Sequence, residues 1–256
     1  MDRPAPSLSR ALGAWAVALS DLTAGVVPAL AWARVDSERS HNLHRQAARR
    51  VLDDFGIEMM VEDRSDVTRR PRDRGVLFVH LDQQTLLSAA IYPLVLPLPF
   101  RLVVNAEFAA LPLVGWLALA HGAVPILRQR PAQARRALAR VSRAIRQGHN
   151  FGISIEGRRS PDGELSPYKK GPAVIAIDAQ CDIVPFMSHG EWSLWPHGDW
   201  RIRPGRIHCV VYPAISTQGM RYGDRDALVA RLRELAENER KARLEPFTRT
   251  DRAASP

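Results

Sequence analysis

Hydrophobic and polar residues along this 256-residue chain follow two patterns, and the change comes near Gly75. Before it, residues 11–33 are mostly apolar, and residues 36–55 carry apolar side chains at helical spacing among Arg and His. The first stretch predicts one helix, or two helices broken near Pro28, and the second predicts an amphipathic helix. Gly56 and the apolar residues after it predict a helix end followed by a strand.

From Gly75 onward, apolar runs of strand length alternate with helical stretches. This alternation predicts an α/β domain, with a largely parallel twisted sheet flanked by helices. The expected strands are residues 76–79, 101–105, 123–127, 152–155, 183–187 and 206–211. The expected helices are residues 85–92, 131–147, 171–179 and 224–242. We therefore predict an N-terminal helical segment at 1–70, an α/β domain at 71–247 and a disordered tail at 248–256.

The formal net charge of +9 is carried almost entirely by Arg, since the only Lys residues are Lys169, Lys170 and Lys241. A positive balance favours anionic partners such as a membrane surface, nucleic acid or a phosphorylated substrate. Nucleic acid is disfavoured, because the Arg residues are spread along the chain and no basic helix with aromatic platforms is present. We therefore expect no nucleic-acid partner.

The two cysteines, Cys181 and Cys209, each lie in an apolar, strand-like stretch. We expect buried free thiols in a reducing compartment rather than a disulfide. No closely spaced pair of Cys or His residues indicates a structural metal site, so no metal is expected.

The apolar segment 11–33 is about long enough to cross a bilayer. It contains Asp21 and Pro28, and it lacks the small-residue cleavage site of a secretory signal. These features favour a monotopic or interfacial helix, which would place the protein at the cytoplasmic side of a membrane, over a true span. A soluble helix packed on the domain is the alternative.

His80 stands where an apolar strand is expected to end and a helix to begin. Loops at the carboxyl ends of strands are where open α/β sheets bind ligands. A histidine there can take a proton from an attacking hydroxyl, since its ordinary pKa is about 6.5. Taken alone, a structural histidine is the alternative. Asp82, two residues later, either caps the following helix or turns towards the imidazole.

Three further polar islands follow apolar runs in the same way. They are Asn105-Ala106-Glu107-Phe108, which leads through Gly115 and Gly122 to Arg128; Glu156-Gly157-Arg158-Arg159-Ser160; and Ile183-Val184-Pro185-Phe186. In this order, the four islands resemble the motifs of the glycerolipid acyltransferase family, which includes lysophosphatidate acyltransferase. The resemblance covers about residues 75–213.

The first motif of that family is a His followed, after four residues, by an Asp that orients the imidazole. The matching position here is Thr85, which can accept a hydrogen bond but cannot supply a negative charge. Loss of such a carboxylate costs about four orders of magnitude in rate in another enzyme. The resemblance therefore implies a catalytic group of His80, Asp82 and Thr85, with either an altered dyad or a catalytically silent protein.

The resemblance also implies a site for an anionic acceptor. Arg159 matches the position that binds the acceptor's phosphate, and a planar guanidinium suits bidentate phosphate contact. The other implied substrate-binding residues are Arg128, Glu156, Gly157, Ser160 and Lys169. A solvated basic loop is the alternative. In the second island, Asn105 stands where the family has a Lys. An acceptor without a phosphate monoester is therefore a further alternative.

The implied reaction is transfer of a fatty acyl group from a coenzyme A or acyl-carrier-protein thioester to a lipid hydroxyl, with His80 as general base. No cofactor is implied beyond the thioester co-substrate, and the implied partners are the acyl donor, the lipid acceptor and a membrane surface. The alternative is a silent relative that binds acyl lipid or membrane. The apolar residues 86–100 either form an exposed loop at the bilayer or acyl chain, or pack in the core.

Overall fold

The computed structural model describes residues 5–69, 73–82, 85–127, 129–160 and 162–251. In these residues the helices are α1 (Leu8–Trp32), α2 (Ser37–Asp54), α3 (Ser88–Val95), α4 (Ala106–Ala109), α5 (Val114–Ala120), α6 (Pro131–Arg146), α7 (Gly171–Ala179), α8 (Glu191–Leu194) and α9 (Arg225–Asp251). The strands are β1 (Ile57–Asp63), β2 (Leu77–His80), β3 (Arg101–Asn105), β4 (Val124–Ile126), β5 (Phe151–Ser154), β6 (Ile183–His189) and β7 (Gly205–Val211).

The strands form one sheet in the order β1-β7-β6-β2-β5-β3-β4. Neighbouring strands are parallel except for β6 and β7, which are antiparallel. The predicted α/β class with a largely parallel sheet is therefore confirmed. Strand β2 lies in the centre, between β5 and β6, and its four residues are all buried.

Alternate side chains of β2 point into two cores, one on each face of the sheet. Leu77 and Val79 pack in a core that α6, α7 and α9 cover. Phe78 packs in the other core, with residues of α1, α2 and α3. A strand buried on both faces explains the continuous apolar run in the sequence.

All six strands predicted from Gly75 onward are present, with ends that differ by at most one or two residues. Helix α3 begins at Ser88, three residues later than predicted, and α9 continues to Asp251. Residues 252–256 of the predicted tail lie outside the described residues. Helices α4, α5 and α8 were not predicted, because segments of four to seven residues are too short to show a helical period.

The N-terminal segment is a helical hairpin packed on the domain. Helix α1 is continuous through Pro28, so the single helix, and not the pair broken there, is the alternative observed. A methyl group added at Gly25 would lie 2.4 Å from the Ala47 side chain, which shows how closely α1 and α2 approach. Trp15 anchors α1 through an edge contact with Phe55 at 5.0 Å.

One side of α1 remains apolar and exposed. The exposed residues are Leu8, Leu12, Val17, Leu19 and Val27. By length and composition, α1 is the one helix among the described residues that could cross a membrane, a test that core helices of soluble proteins and N-terminal signal sequences also pass. The hairpin packing therefore leaves this apolar face uncovered by the residues that the structure describes.

Two predictions about apolar residues are decided by the core. Residues 86–100 form no exposed loop, because α3 is largely buried against the second core and Ile91 is fully buried. Core packing, the alternative interpretation, is therefore the observed one. Cys181 and Cys209 are buried free thiols, as predicted.

Candidate active site

Three of the four polar islands meet at one edge of the sheet. His80 ends β2 and lies in register with Ser154 of β5 and with Phe186 of β6. Because these strands are parallel, the segments that follow them leave the sheet side by side. The second island lies farther along the same edge, where Asn105 of β3 pairs with Ile126 of β4.

The His80 side chain is fully buried at this edge. Its ring stacks on Phe186, with ring centroids 4.4 Å apart, and the edge of Tyr92 approaches at 5.5 Å. Burial lowers the pKa of His80 to about 4, although Glu191 opposes this shift. The imidazole is therefore neutral at pH 7, which is the form that a general base requires.

The two ring nitrogens of His80 have different surroundings. Nε2 lies 2.8 Å from the Ser188 hydroxyl, and that hydroxyl donates its proton to Glu191. A hydroxyl that donates its one proton must accept from Nε2, so Nε2 carries the hydrogen. Nδ1 is buried and has no hydrogen-bond partner among the described residues. Nδ1 is therefore the nitrogen with a free lone pair.

Asp82 lies beside the imidazole and does not cap the next helix. Helix α3 begins at Ser88 without a side-chain cap, so the capping interpretation is wrong. The Asp82 Oδ1 atom accepts a hydrogen bond from the Ser188 N–H at 2.9 Å and lies 3.2 Å from His80 Nε2. Burial raises the pKa of Asp82 well above its usual value.

Thr85 is also buried at the centre of the site. Its hydroxyl accepts from the Leu87 N–H at 3.0 Å and donates to Glu191 Oε2 at 2.8 Å. Sequence reasoning missed Glu191, which is the first residue of the four-residue helix α8. Gly190 makes that position possible: its φ is 100°, and an added Cβ would lie 2.5 Å from the Arg206 carbonyl oxygen.

The loop after β5 brings Glu156, Gly157 and Ser160 to the same edge. Glu156 is buried and accepts a hydrogen bond from the Ser166 N–H, and burial raises the pKa of Glu156 to about 8. Gly157 has a φ of 68° and donates its N–H to the Ser154 hydroxyl at 3.3 Å. The Ser160 hydroxyl donates to the Glu164 carbonyl oxygen at 2.8 Å, so this loop is held by its own hydrogen bonds.

The predicted anion-binding cations lie at the surface. Arg159 and Lys169 are exposed, and Arg159 has no hydrogen bond or ion pair within the part of the chain that the structure describes. The backbone N–H of Lys169 donates to the Ile155 carbonyl oxygen at 2.8 Å, which holds this segment against the end of β5. Arg128 lies outside the described residues.

The sequence showed no motif in helix α9. In the structure, this helix contacts the segment that follows the Glu156–Ser160 loop. Arg233 donates to the Ser166 carbonyl oxygen at 2.8 Å, and its guanidinium lies 5.1 Å from the centre of the Tyr168 ring. Arg240 and Arg243 lower the pKa of Asp82, although burial outweighs them. The helix thus adds positive charge beneath a group of buried carboxyls.

The family model described as Acyltransferase matches residues 69–189 of this chain. This segment, a little under half of the chain, belongs to the acyltransferase family. The match begins before β2 and includes His80, Asp82, Thr85 and Ser188. It ends two residues before Glu191, so the carboxylate that receives the Ser188 proton lies beyond the matched segment.

Individual proteins are also similar to this chain. The 1-acyl-sn-glycerol-3-phosphate acyltransferase of Pseudomonas aeruginosa is 28% identical over 122 residues, 47% of this chain and 47% of that protein. The human 1-acyl-sn-glycerol-3-phosphate acyltransferase beta is 28% identical over 176 residues, 68% of this chain and 62% of that protein. The chain thus spans about half the length of the first of these relatives.

A solved structure matches the fold of this chain over most of its length. The 1-acyl-sn-glycerophosphate (LPA) acyltransferase PlsC from Thermotoga maritima superposes with a TM-score of 0.72 at 20% identity, covering 91% of this chain and 94% of that one. Because the unmatched 9% of this chain is shorter than the N-terminal hairpin, the common fold includes at least part of that hairpin and extends well beyond residues 69–189.

Proposed function

We propose that this protein transfers a fatty acyl group from a thioester to the free hydroxyl of a lysophospholipid-like acceptor in lipid biosynthesis. The thioester would be carried by coenzyme A or acyl carrier protein. The observation that carries the proposal is a buried, neutral His80 whose Nδ1 has no partner among the described residues. It lies at the sheet edge from which the Glu156–Ser160 loop also emerges.

In the proposed reaction, Nδ1 of His80 accepts the proton of the acceptor hydroxyl while the hydroxyl oxygen bonds to the thioester carbonyl carbon. The carbonyl electron pair moves to its oxygen and forms a tetrahedral oxyanion. When the carbonyl re-forms, the carbon–sulfur bond breaks, and the departing sulfur takes the proton from His80. The products are an ester and a free thiol, and neither a covalent acyl-enzyme nor a further cofactor takes part.

The acceptor's head group is proposed to bind at the exposed cations Arg159 and Lys169, together with Arg128. Arg159 supports this role because its guanidinium is exposed and has no partner among the described residues. Backbone N–H groups near Gly157 are proposed to stabilise the oxyanion. Glu156, Gly157 and Ser160 would act by shaping the loop, since each makes hydrogen bonds close to it.

The acceptor and the acyl product are lipids, so the reaction is proposed to occur at the cytoplasmic surface of a membrane. The exposed apolar side of α1 supports this proposal. One side of α1 packs on α2, and the opposite apolar side is free to lie in a membrane interface, as in an interfacial helix. Asn105, where the family has a Lys, keeps the identity of the acceptor's head group open.

Acyl transfer from labelled acyl-coenzyme A and acyl carrier protein, in detergent or vesicles, tests the proposal. The acceptors are lysophosphatidate, a lysophospholipid without a phosphate monoester, and an amino-acid-containing lysolipid. We expect a product with at least one pair, and none with His80→Ala. Full turnover in that variant would remove the base role. Lipid binding without any product would instead indicate the silent relative.

A further inference from the structure

The first motif of this chain has no carboxylate at its fifth position, where Thr85 stands. The Thr85 hydroxyl already accepts from the Leu87 N–H, so its single proton is available for donation. That proton goes to Glu191 Oε2, at 2.8 Å, across 106 positions of the chain. A carboxylate therefore lies against the position where the motif lacks one.

Glu191 accepts hydrogen bonds from more than one hydroxyl. Ser188 donates to one carboxylate oxygen and Thr85 to the other. The Ser88 hydroxyl lies 3.3 Å from the second oxygen, but its nearer acceptor is the Thr85 carbonyl oxygen at 3.0 Å. An ionised carboxylate is an acceptor only, so it matches this set of donors. The pKa of Glu191 is raised by burial and by the nearby Asp82, and His80 and the hydroxyls of Ser188 and Thr85 reduce this rise.

The direction of these bonds sets the state of His80. Because Ser188 gives its proton to Glu191, its oxygen must accept the Nε2–H of His80. A neutral imidazole has one N–H, so Nδ1 must then carry the free lone pair. Reversing the Ser188 hydroxyl would place the hydrogen on Nδ1 and abolish the base at that atom.

Asp82 is the competing partner for Nε2, but its position favours another contact. It lies 3.2 Å from Nε2, whereas the Ser188 hydroxyl lies at 2.8 Å. The same Asp82 oxygen already accepts the Ser188 N–H. Glu191, by contrast, accepts the hydroxyl protons of Ser188 and Thr85, so the chain of hydrogen bonds from His80 ends on Glu191.

We propose that Glu191 is the positioning residue for His80, acting through the Ser188 hydroxyl. Its carboxylate holds His80 with the hydrogen on Nε2 and offsets the positive charge that develops on the imidazolium. It thereby takes over the part that an Asp at position 85 would have. The inference rests on the proposed function of His80 as a general base.

Steady-state kinetics of four variants tests this role. We expect Glu191→Gln to lower kcat at least about 100-fold while both KM values stay within about threefold, since the lost interaction strengthens with imidazolium charge. Glu191→Asp and the double variant Glu191→Gln/Thr85→Asp should each recover at least about tenfold of that loss. Glu234→Gln, an exposed carboxyl of α9, is the matched control and should keep the wild-type rate.

A structural role alone predicts a different result. It would lower the stability or raise both KM values, with no recovery when the carboxylate is supplied from position 85. An unchanged kcat in Glu191→Gln would overturn the positioning role of Glu191. The proposed acyltransferase function would still stand, because it is tested separately by the activity of His80→Ala. If Glu191→Gln does not fold, Ser188→Ala breaks the same chain and must show the same loss of kcat.

Nitrogen-15 NMR of the histidine rings tests the inference without turnover. We expect His80 in the wild-type protein to be protonated on Nε2 alone, and to become a mixture of tautomers in Glu191→Gln. Protonation on Nδ1 in the wild type, or no change in the variant, would overturn the positioning role. This result is independent of whether a donor and acceptor have been found.

Discussion

Two histidine–serine pairs lie at opposite edges of the same sheet. At the carboxyl edge, His80 Nε2 lies 2.8 Å from the Ser188 hydroxyl, and at the amino edge, His121 Nε2 lies 2.6 Å from the Ser40 hydroxyl. Burial lowers the pKa of each histidine to about 4. The two pairs are therefore nearly alike in their contacts and in the direction of their pKa shifts.

The difference is the group that receives the serine proton. Ser188 donates to the carboxylate of Glu191, whereas Ser40 donates to the backbone carbonyl oxygen of Ala29 in α1. A carboxylate can stabilise a charge that appears on the imidazole, but a neutral carbonyl does so only weakly. The amino-edge pair therefore fastens α1 and α2 to the domain, while the carboxyl-edge pair is suited to proton transfer.

The largest expected difference comes from removing each imidazole. His80→Gln should lower acyl transfer at least about 1,000-fold because the base is lost. His121→Gln should leave kcat within about threefold, since His121 lies at the edge away from the reacting groups. Parallel measurement of kcat and melting temperature checks both. A comparable loss of kcat in His121→Gln would remove the distinction between the edges.

Removing the two serine hydroxyls should also affect kcat at only one edge, with a smaller loss than removing the imidazole. Ser188→Ala should lower kcat at least about 100-fold, as Glu191→Gln does, because His80 loses its link to Glu191. Ser40→Ala should leave kcat unchanged but cost about 1–3 kcal/mol of stability, because it leaves the buried Ala29 carbonyl and His121 without their partner. Chemical denaturation and kinetics of both variants decide this, and equal kcat values for the two would contradict it.

The exposed cations beside the carboxyl edge are expected to affect binding of the acceptor and not proton transfer. Arg159→Ala should raise the acceptor KM about tenfold and leave the donor KM nearly unchanged, because a charge-assisted phosphate contact is lost. Arg158→Ala, its exposed neighbour, is the matched control and should change neither value by more than about twofold. An equal rise in both KM values for Arg159→Ala would deny it a head-group role.

The smallest expected effect concerns acid stability. The pKa of His121 falls from 6.5 to about 4 on folding, because burial disfavours the charged ring. The unfolded chain therefore binds a proton first, and stability is lost as the pH falls from 6.5 towards 4. His121→Gln should make the melting temperature less dependent on pH in this window than in wild type, while His197→Gln, an exposed control, should not. If the melting temperature of His121→Gln depended on pH as steeply as that of the wild type, the burial of His121 would be contradicted.

The local pattern predicted most of the fold. The apolar run before His80 and the later strands of the domain could be read from the sequence because each is buried and of strand length. The amphipathic α2 was predicted for the same reason, since its period shows one buried face. Helix α8 could not be predicted, because four residues after a positive-φ Gly190 show no period.

The candidate site was predicted only where its members adjoin a strand end. His80 and the Glu156–Ser160 loop were found through the motifs that follow their strands. Glu191 was missed, although the sequence contained one signal for it. Because position 85 is a Thr, a replacement carboxylate could have been sought among the acidic residues that follow a neighbouring strand. Asp82 was correctly offered as a contact of the imidazole, beside the capping role that the structure does not support.

The sequence by itself thus determined the α/β class, the central histidine and the absence of the expected carboxylate at Thr85. Only the tertiary structure decided that a carboxylate is present nonetheless, supplied by Glu191. The physical reason is that hydrophobic burial leaves a local period along the chain, whereas a hydrogen bond between residues 106 positions apart depends on which strands become neighbours.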